Sequence, residues 1–178
     1  MLYSKAITGK GGGALARLYL AHCALDGCSG HDAGRRLLRQ LYDAQVGGEM
    51  PQIAIASGGK PYFTTGNWHF SISHTKKQAF CALSDAPIGM DAEQTDRKID
   101  LRLADKILSP GEKRQFDAAT DQREALLRFW VLKEAAAKLT GQGLRGYPNH
   151  TDFDLNDSRV TVVSGCYVAM LQEENHAL

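Results

Sequence analysis

Between Trp130 and Leu144 the chain reads WVLKEAAAKLTGQGL, which places Trp130, Glu134 and Lys138 four residues apart. On a helix that spacing stacks the three side chains along one face. A carboxylate and an ammonium one turn apart can accept a proton and steady a departing negative charge, or they can form an ordinary surface ion pair. A second group of candidates lies about 40 residues upstream in IGMDAE, Ile88 to Glu93. Read as a strand, this run turns Ile88, Met90 and Ala92 to one side and Gly89, Asp91 and Glu93 to the other. Carboxylates at i and i+2 stand roughly 6.5–7 Å apart at the backbone and repel unless a cation lies between them. Hard oxygen donors suit Mg²⁺, which takes one or two carboxylates with phosphate oxygens and water. A solvated strand end is the plain alternative.

Three further groups carry reactive side chains. His74 ends the apolar run SISHT, flanked by Ser73 and Thr75, and either caps a turn or meets a ligand. Lys60 sits between Gly59 and Pro61 and on its own is a charged loop residue. His22, Cys23, Cys28 and His31 in HCALDGCSGH resemble a zinc set, but their spacing does not fit the usual pairs on one turn. Packed thiols and surface histidines are the better expectation. The glycine run GKGGG, Gly9–Gly13, lacks the spacing and trailing Lys-Ser/Thr of a phosphate loop and reads as a turn before a helix.

Composition limits the function classes. In 178 residues, 43% are hydrophobic and 23% charged, so a packed core is expected and disorder is not. The formal net charge of +1 points to neither nucleic acid nor membrane as a partner, so any attraction for acidic ligands is local. No run approaches the roughly 18 apolar residues of a membrane span. Lys5, Lys10 and Arg17 break the pattern of a signal peptide, and four scattered cysteines make no disulfide framework. A reducing, cytoplasmic setting follows as the expectation.

The elements that must position these residues are legible in outline. Ala14 to Leu25 is apolar and predicts a helix. A second helix is expected from about Asp32 to Ala44, with Leu37, Leu38 and Leu41 inward and Arg35, Arg36 and Arg39 on its remaining surface. Residues 46–66 read as loop with one edge strand at Ile53 to Ala56. Trp68–Ser73 and Gln78–Leu83 form a hairpin, and Ile88–Glu93 is a third strand. Ser109-Pro110-Gly111-Glu112 starts a helix with a capping box, and the long helix runs from Thr120 or Asp121 to Gly141. After Pro148, Thr151–Leu155, Arg159–Val163 and Cys166–Leu171 read as three strands. The fold class is therefore α+β, in two similar halves at 1–94 and 95–178.

The order GKP, then ISHT, then IGMDAE, then WVLKEAAAKLTGQGL resembles the 4′-phosphopantetheinyl transferases, and within them the larger, Sfp-type branch. The likeness covers about Gly59 to Leu144 and reaches more weakly back to Arg35. Met90 and Ala92 depart from the family's usual aliphatics, and Thr75 stands where serine is usual. The resemblance implies a monomer of two halves related by a pseudo-twofold, with coenzyme A between them. It implies transfer of 4′-phosphopantetheine from coenzyme A to a serine of an apo acyl or peptidyl carrier protein, from fatty acid, polyketide or peptide assembly. Adenosine 3′,5′-bisphosphate would be released.

By the same resemblance Asp91, Glu93 and Glu134 hold Mg²⁺, and Glu134 is the base for the carrier serine, directly or through a metal-bound water. Lys138 would steady the pyrophosphate, and Lys60, Ser73, His74 and Arg35 would bind coenzyme A, with Arg36 competing for the last place; His74 would also join Glu134 and Lys138 as a catalytic residue. Two rival functions are a silent relative that binds carrier proteins and a Mg²⁺-dependent pyrophosphate transferase with another acceptor.

Overall fold

A computed structural model describes residues 2–3, 16–141 and 151–173. The GKGGG run, the end of the long-helix motif at Gly143-Leu144, and Pro148 lie outside the described residues. Two antiparallel sheets and four α-helices make up the described architecture. The first sheet orders its strands β1 (Leu2–Tyr3), β2 (Leu18–Ala24), β6 (Gln78–Ser84) and β5 (His69–His74). The second orders β7 (Ile88–Gln94), β9 (Cys166–Gln172) and β8 (Val160–Val163). A hairpin of β3 (Ile53–Ile55) and β4 (Pro61–Phe63) stands beside them, where one edge strand was expected.

The run Leu18–Ala24 is a strand, not the predicted helix, and every one of its seven residues pairs with β6. Its composition misleads because both faces are buried. Tyr19, Ala21 and Cys23 pack under helix α1 (Gly30–Gln45), whereas Leu18 and Leu20 meet Met90, Val168 and Met170 of the second sheet. A strand covered on two sides loses its alternation and looks like any apolar run. Helix α1 matches its expected span, with Ser29 capping its start and Leu37, Leu38 and Leu41 buried.

The second correction concerns Thr151–Leu155, which belongs to no sheet and ends in a turn at Leu155. Side chains satisfy its backbone instead. Phe153 N–H donates to Glu112 Oε1 at 3.0 Å, Leu155 N–H to Gln115 Oε1 at 2.8 Å, and Arg128 Nε donates to the Leu155 carbonyl at 2.8 Å. Its amphipathic pattern reports burial of Phe153 against helices rather than strand pairing.

Helix α3 (Pro110–Ala118) starts on the expected capping box: Glu112 N–H donates to Ser109 Oγ and Ser109 N–H to Glu112 Oε2. A short 3₁₀ turn at Leu101–Leu103 and α2 (Ala104–Ile107) precede it. Helix α4 (Gln122–Thr140) is capped by Asp121 and closed by Gly141 in the left-handed region at φ 73°. It lies across β7 and β9, burying Phe129, Val131, Leu132 and Ala135. Contact with β7 is close because Gly89 has no side chain: a Cβ there would fall inside the contact distance of the Ala135 carbonyl and 2.8 Å from Leu139 Cα.

Strand β7 follows β6 in sequence, yet its hydrogen-bonded neighbour is β9, more than 70 residues further on. Strands β5 and β7 belong to different sheets, and two serine hydroxyls bridge them. Ser71 Oγ accepts from Met90 N–H at 3.0 Å, and Ser73 Oγ accepts from Ala92 N–H at 3.3 Å. This seam is where the chemistry-bearing residues meet.

Candidate active site

Asp91 lies on the seam, 7% exposed. Its Oδ1 accepts from Ser73 Oγ and from Lys138 Nζ, each at 2.7 Å. The strand and the helix thus deliver to one another the carboxylate and the ammonium that lie 47 residues apart in sequence. Glu134, one turn before Lys138, is half-buried. Burial first, and then the negative charge of Asp91, hold its carboxyl above the usual glutamic acid range, against the opposing pull of Lys138 and Arg97. A raised pKa makes the carboxylate a better proton acceptor than an ordinary glutamate.

Glu93 faces the same side as Asp91, but its carboxylate is engaged by Arg97 Nη1 and by the backbone N–H of Gln94 at 3.0 Å. The Arg97 guanidinium also lies 5.5 Å from the ring centre of Trp130, so it joins the strand end to the aromatic at the start of the Glu134 stripe. Sequence reasoning missed Arg97. The signal was present as the four-residue step from Glu93 to Arg97, but it crosses a strand end, where helical spacing has no meaning.

Two openings flank the cluster. One, of about 220 Å³, is lined by Lys60, Pro61, Ser71, Glu134 and Lys138. The other, a groove of about 970 Å³, is lined by Ser29, Gly30, His74, Lys76, Glu93 and Arg97. There the start of α1 rests on His74 with no room for a side chain at Gly30, since a Cβ would stand 2.8 Å from His74 Cβ. Lys60 donates to the Leu139 carbonyl at 2.7 Å and to the Ile88 carbonyl at 3.3 Å, so it closes the last turn of α4, and burial lowers its pKa.

The structure therefore gathers Asp91, Ser73, Glu134 and Lys138 into one cluster, with Glu93 and His74 facing the larger groove and Lys60 the smaller opening. Arg35 stands apart, half-buried on α1, where its charge acts on the buried Cys81 thiol. Of the zinc-like set, His22 stacks on Phe80 at 5.6 Å, the Cys28 thiol donates to the Leu25 carbonyl at 2.6 Å, and His31 pairs with Asp32 at 3.6 Å. Among the described residues no three His, Cys, Asp or Glu side chains converge on one point. At the seam, cationic side chains lie against the carboxylates: Lys138 beside Asp91, Arg97 beside Glu93. By chemistry the donors fit a hard dication, because Asp91 and Glu134 carry oxygen donors whose mutual repulsion such an ion would relieve.

Residues 87–176 match the model of a family described as the 4′-phosphopantetheinyl transferase superfamily. The chain is 32% identical over 116 residues to the 4′-phosphopantetheinyl transferase psf-1 of Bacillus pumilus, covering 62% of this chain and 49% of that protein. It is 32% identical over 122 residues to the 4′-phosphopantetheinyl transferase HetI of a Nostoc species, covering 63% and 52%. With the 4′-phosphopantetheinyl transferase Sfp of Bacillus subtilis it shares 35% identity over 78 residues, covering 43% and 34%. The chain spans about half the length of the curated relatives it matches.

Proposed function

The chain belongs to the 4′-phosphopantetheinyl transferase superfamily, and from that premise we propose that it transfers 4′-phosphopantetheine from coenzyme A to a serine hydroxyl of an apo carrier protein, releasing adenosine 3′,5′-bisphosphate. The observation that carries the proposal is the meeting of Asp91, Glu134 and Lys138 across the seam. In the transfer, the serine oxygen forms a bond to the phosphorus that bears pantetheine, and the bond from that phosphorus to the pyrophosphate's bridging oxygen breaks. Glu134 takes the serine proton, which its raised pKa favours. Lys138 offsets the charge that develops on the departing bisphosphate.

Asp91 and Glu134, with Glu93 beside them on β7, would hold Mg²⁺, which when bound neutralises pyrophosphate oxygens. Ser73 fixes the Asp91 carboxylate through its hydroxyl. His74, Lys60 and Arg35 are assigned to coenzyme A phosphates. An ammonium has three donors, and Ile88 and Leu139 take two of those on Lys60. The proposal includes a cytoplasmic monomer of two halves, 1–94 and 95–178, related by a pseudo-twofold, with coenzyme A between them. Among the described residues no helix is long and apolar enough to cross a membrane.

Incubation with coenzyme A, Mg²⁺ and a panel of apo carriers from fatty acid, polyketide and peptide assembly tests the proposal. A mass gain equal to phosphopantetheine on at least one carrier is the expected result, and Glu134→Gln abolishes it without loss of fold. No gain on any carrier refutes the transferase assignment. Transfer that survives Glu134→Gln refutes the role given to that residue.

A further inference from the structure

Lys133, next in sequence to Glu134, is not a surface residue. Its Nζ lies 2.8 Å from Glu112 Oε2, and the two side chains are 3% and 0% exposed. A fully buried ion pair is a weak source of stability, since desolvation costs several kcal/mol per ion and an apolar pair of similar size often serves a core as well. Its geometry suggests another use. The Glu112 carboxylate accepts from Ser109 N–H at 2.9 Å and from Phe153 N–H at 3.0 Å, and the Lys133 ammonium donates to the Thr151 carbonyl at 3.4 Å. The start of α3, the middle of α4 and the segment at 151–153 therefore meet at one buried charge pair.

Residues next to each other on a helix point about 100° apart. Tying Lys133 to α3 thus fixes which way Glu134 and Lys138 turn. Apolar packing alone tolerates small rotations of a helix with little change in buried area, whereas a charged hydrogen bond selects one. At the radius of a helix surface, ~6 Å from the axis, a turn of ~10° moves a side chain by ~1 Å. Displacements of that size cost about 100-fold in rate where reacting groups must be aligned. The opposite face of α4 sits flush on Gly89, so the helix is held from two sides.

We propose that the Lys133–Glu112 pair is a positioning device that sets the rotation of α4 and so places Glu134 and Lys138 against Asp91. This inference rests on the transferase function proposed above. The test replaces both charges at once, Glu112→Leu with Lys133→Met, to keep the site packed, and measures melting, steady-state transfer and Mn²⁺ affinity of the protein without coenzyme A by electron paramagnetic resonance. The expected result is a folded protein whose KM for coenzyme A is unchanged, whose kcat falls ~10–100-fold and whose Mn²⁺ affinity falls by a similar factor. A merely structural pair would leave kcat and Mn²⁺ affinity at wild-type values once the fold is kept, and that result overturns the proposal.

If the double variant does not fold, Glu112→Gln, which drops the charge and keeps one acceptor oxygen where the carboxylate offers two, is held to the same criteria at a temperature where it is folded. A wild-type protein that modifies no carrier defeats the transferase function instead. The Mn²⁺ comparison then still decides whether the pair positions Glu134, and a wild type that also binds no Mn²⁺ defeats both.

Discussion

Substituting Gly89 by alanine probes how closely α4 is seated on β7. An added Cβ would fall inside the contact distance of the Ala135 carbonyl and of Leu139 N, and 2.8 Å from Leu139 Cα. All three are backbone atoms of α4, toward its C-terminal end, so no side-chain rotation relieves the clash. Ordinary contact begins near 3.4 Å, and the helix must retreat by ~1 Å at this point. That retreat stretches the 2.7 Å contact from Lys138 Nζ to Asp91 Oδ1 beyond hydrogen-bond range. Overpacking of a core site costs ~1–3 kcal/mol. In a chain of this length each kcal/mol lowers the melting temperature by ~2–4 °C, so a fall of ~2–12 °C is expected by circular dichroism. Transfer to a carrier, followed by mass, should slow ~100-fold from the misplacement of Lys138 and Glu134. A Gly89→Ala protein that melts within ~1 °C of wild type and transfers at full rate refutes the seating and, with it, the argument that β7 and α4 build the site together.

Ser73→Ala removes both the donor to Asp91 and the acceptor for Ala92 N–H, and a loss of ~1–3 kcal/mol follows from the unsatisfied buried groups. Its effect on turnover should exceed that of Ser71→Ala, whose hydroxyl bonds the Met90 backbone and not the Asp91 carboxylate; equal effects would argue against a role for Ser73 in orienting Asp91. Because the native Glu134 carboxyl sits above its unfolded value of ~4.3, the folded protein binds more protons than the unfolded chain between the two values. Stability from this group therefore falls as pH rises through that window and is level above it. Urea melts across that range should show the fall in wild type and not in Glu134→Gln, and parallel curves would contradict the raised value. Lys60→Met takes the ammonium from the Leu139 and Ile88 carbonyls, at a cost of ~0.3–1 kcal/mol to the end of α4. Faster amide exchange in its last turn is the expected sign, and unchanged exchange would show that the cation does not close the helix.

The parts of the fold that local chemistry decides were legible. Asp121 and Gly141 bound α4, and Ser109 with Glu112 starts α3, because a cap is satisfied within three or four residues of itself. The hairpin of β5 and β6 and the face of β7 that carries Asp91 followed from a period of two. What failed depended on distant partners. The run at Leu18–Ala24 is a strand because β6 lies on one side and helix and sheet cover its faces, none of which a window of seven residues reveals. The Thr151–Leu155 run carries a strand-like pattern, yet its backbone is satisfied by Glu112, Gln115 and Arg128.

The site divides along the same line. Glu134 and Lys138 share a stripe by helical spacing, and Asp91 and Glu93 share a strand face, so each pair was visible alone. Their meeting depends on β7 leaving its neighbours in sequence to pair with β9, which brings the carboxylate under α4. Ser73 was expected to touch the ligand, but its hydroxyl shows a structural task as well, since it bridges two sheets that share no ladder at this seam. Glu112 is the clearest case of a residue with a local role that concealed a distant one. Its capping box accounts for two hydrogen bonds and needs no burial, whereas the structure buries it completely and adds Lys133 and Phe153. A cap at the surface would serve α3 equally well. The burial of Glu112 is therefore explained by what it holds, and what it holds is the residue beside Glu134.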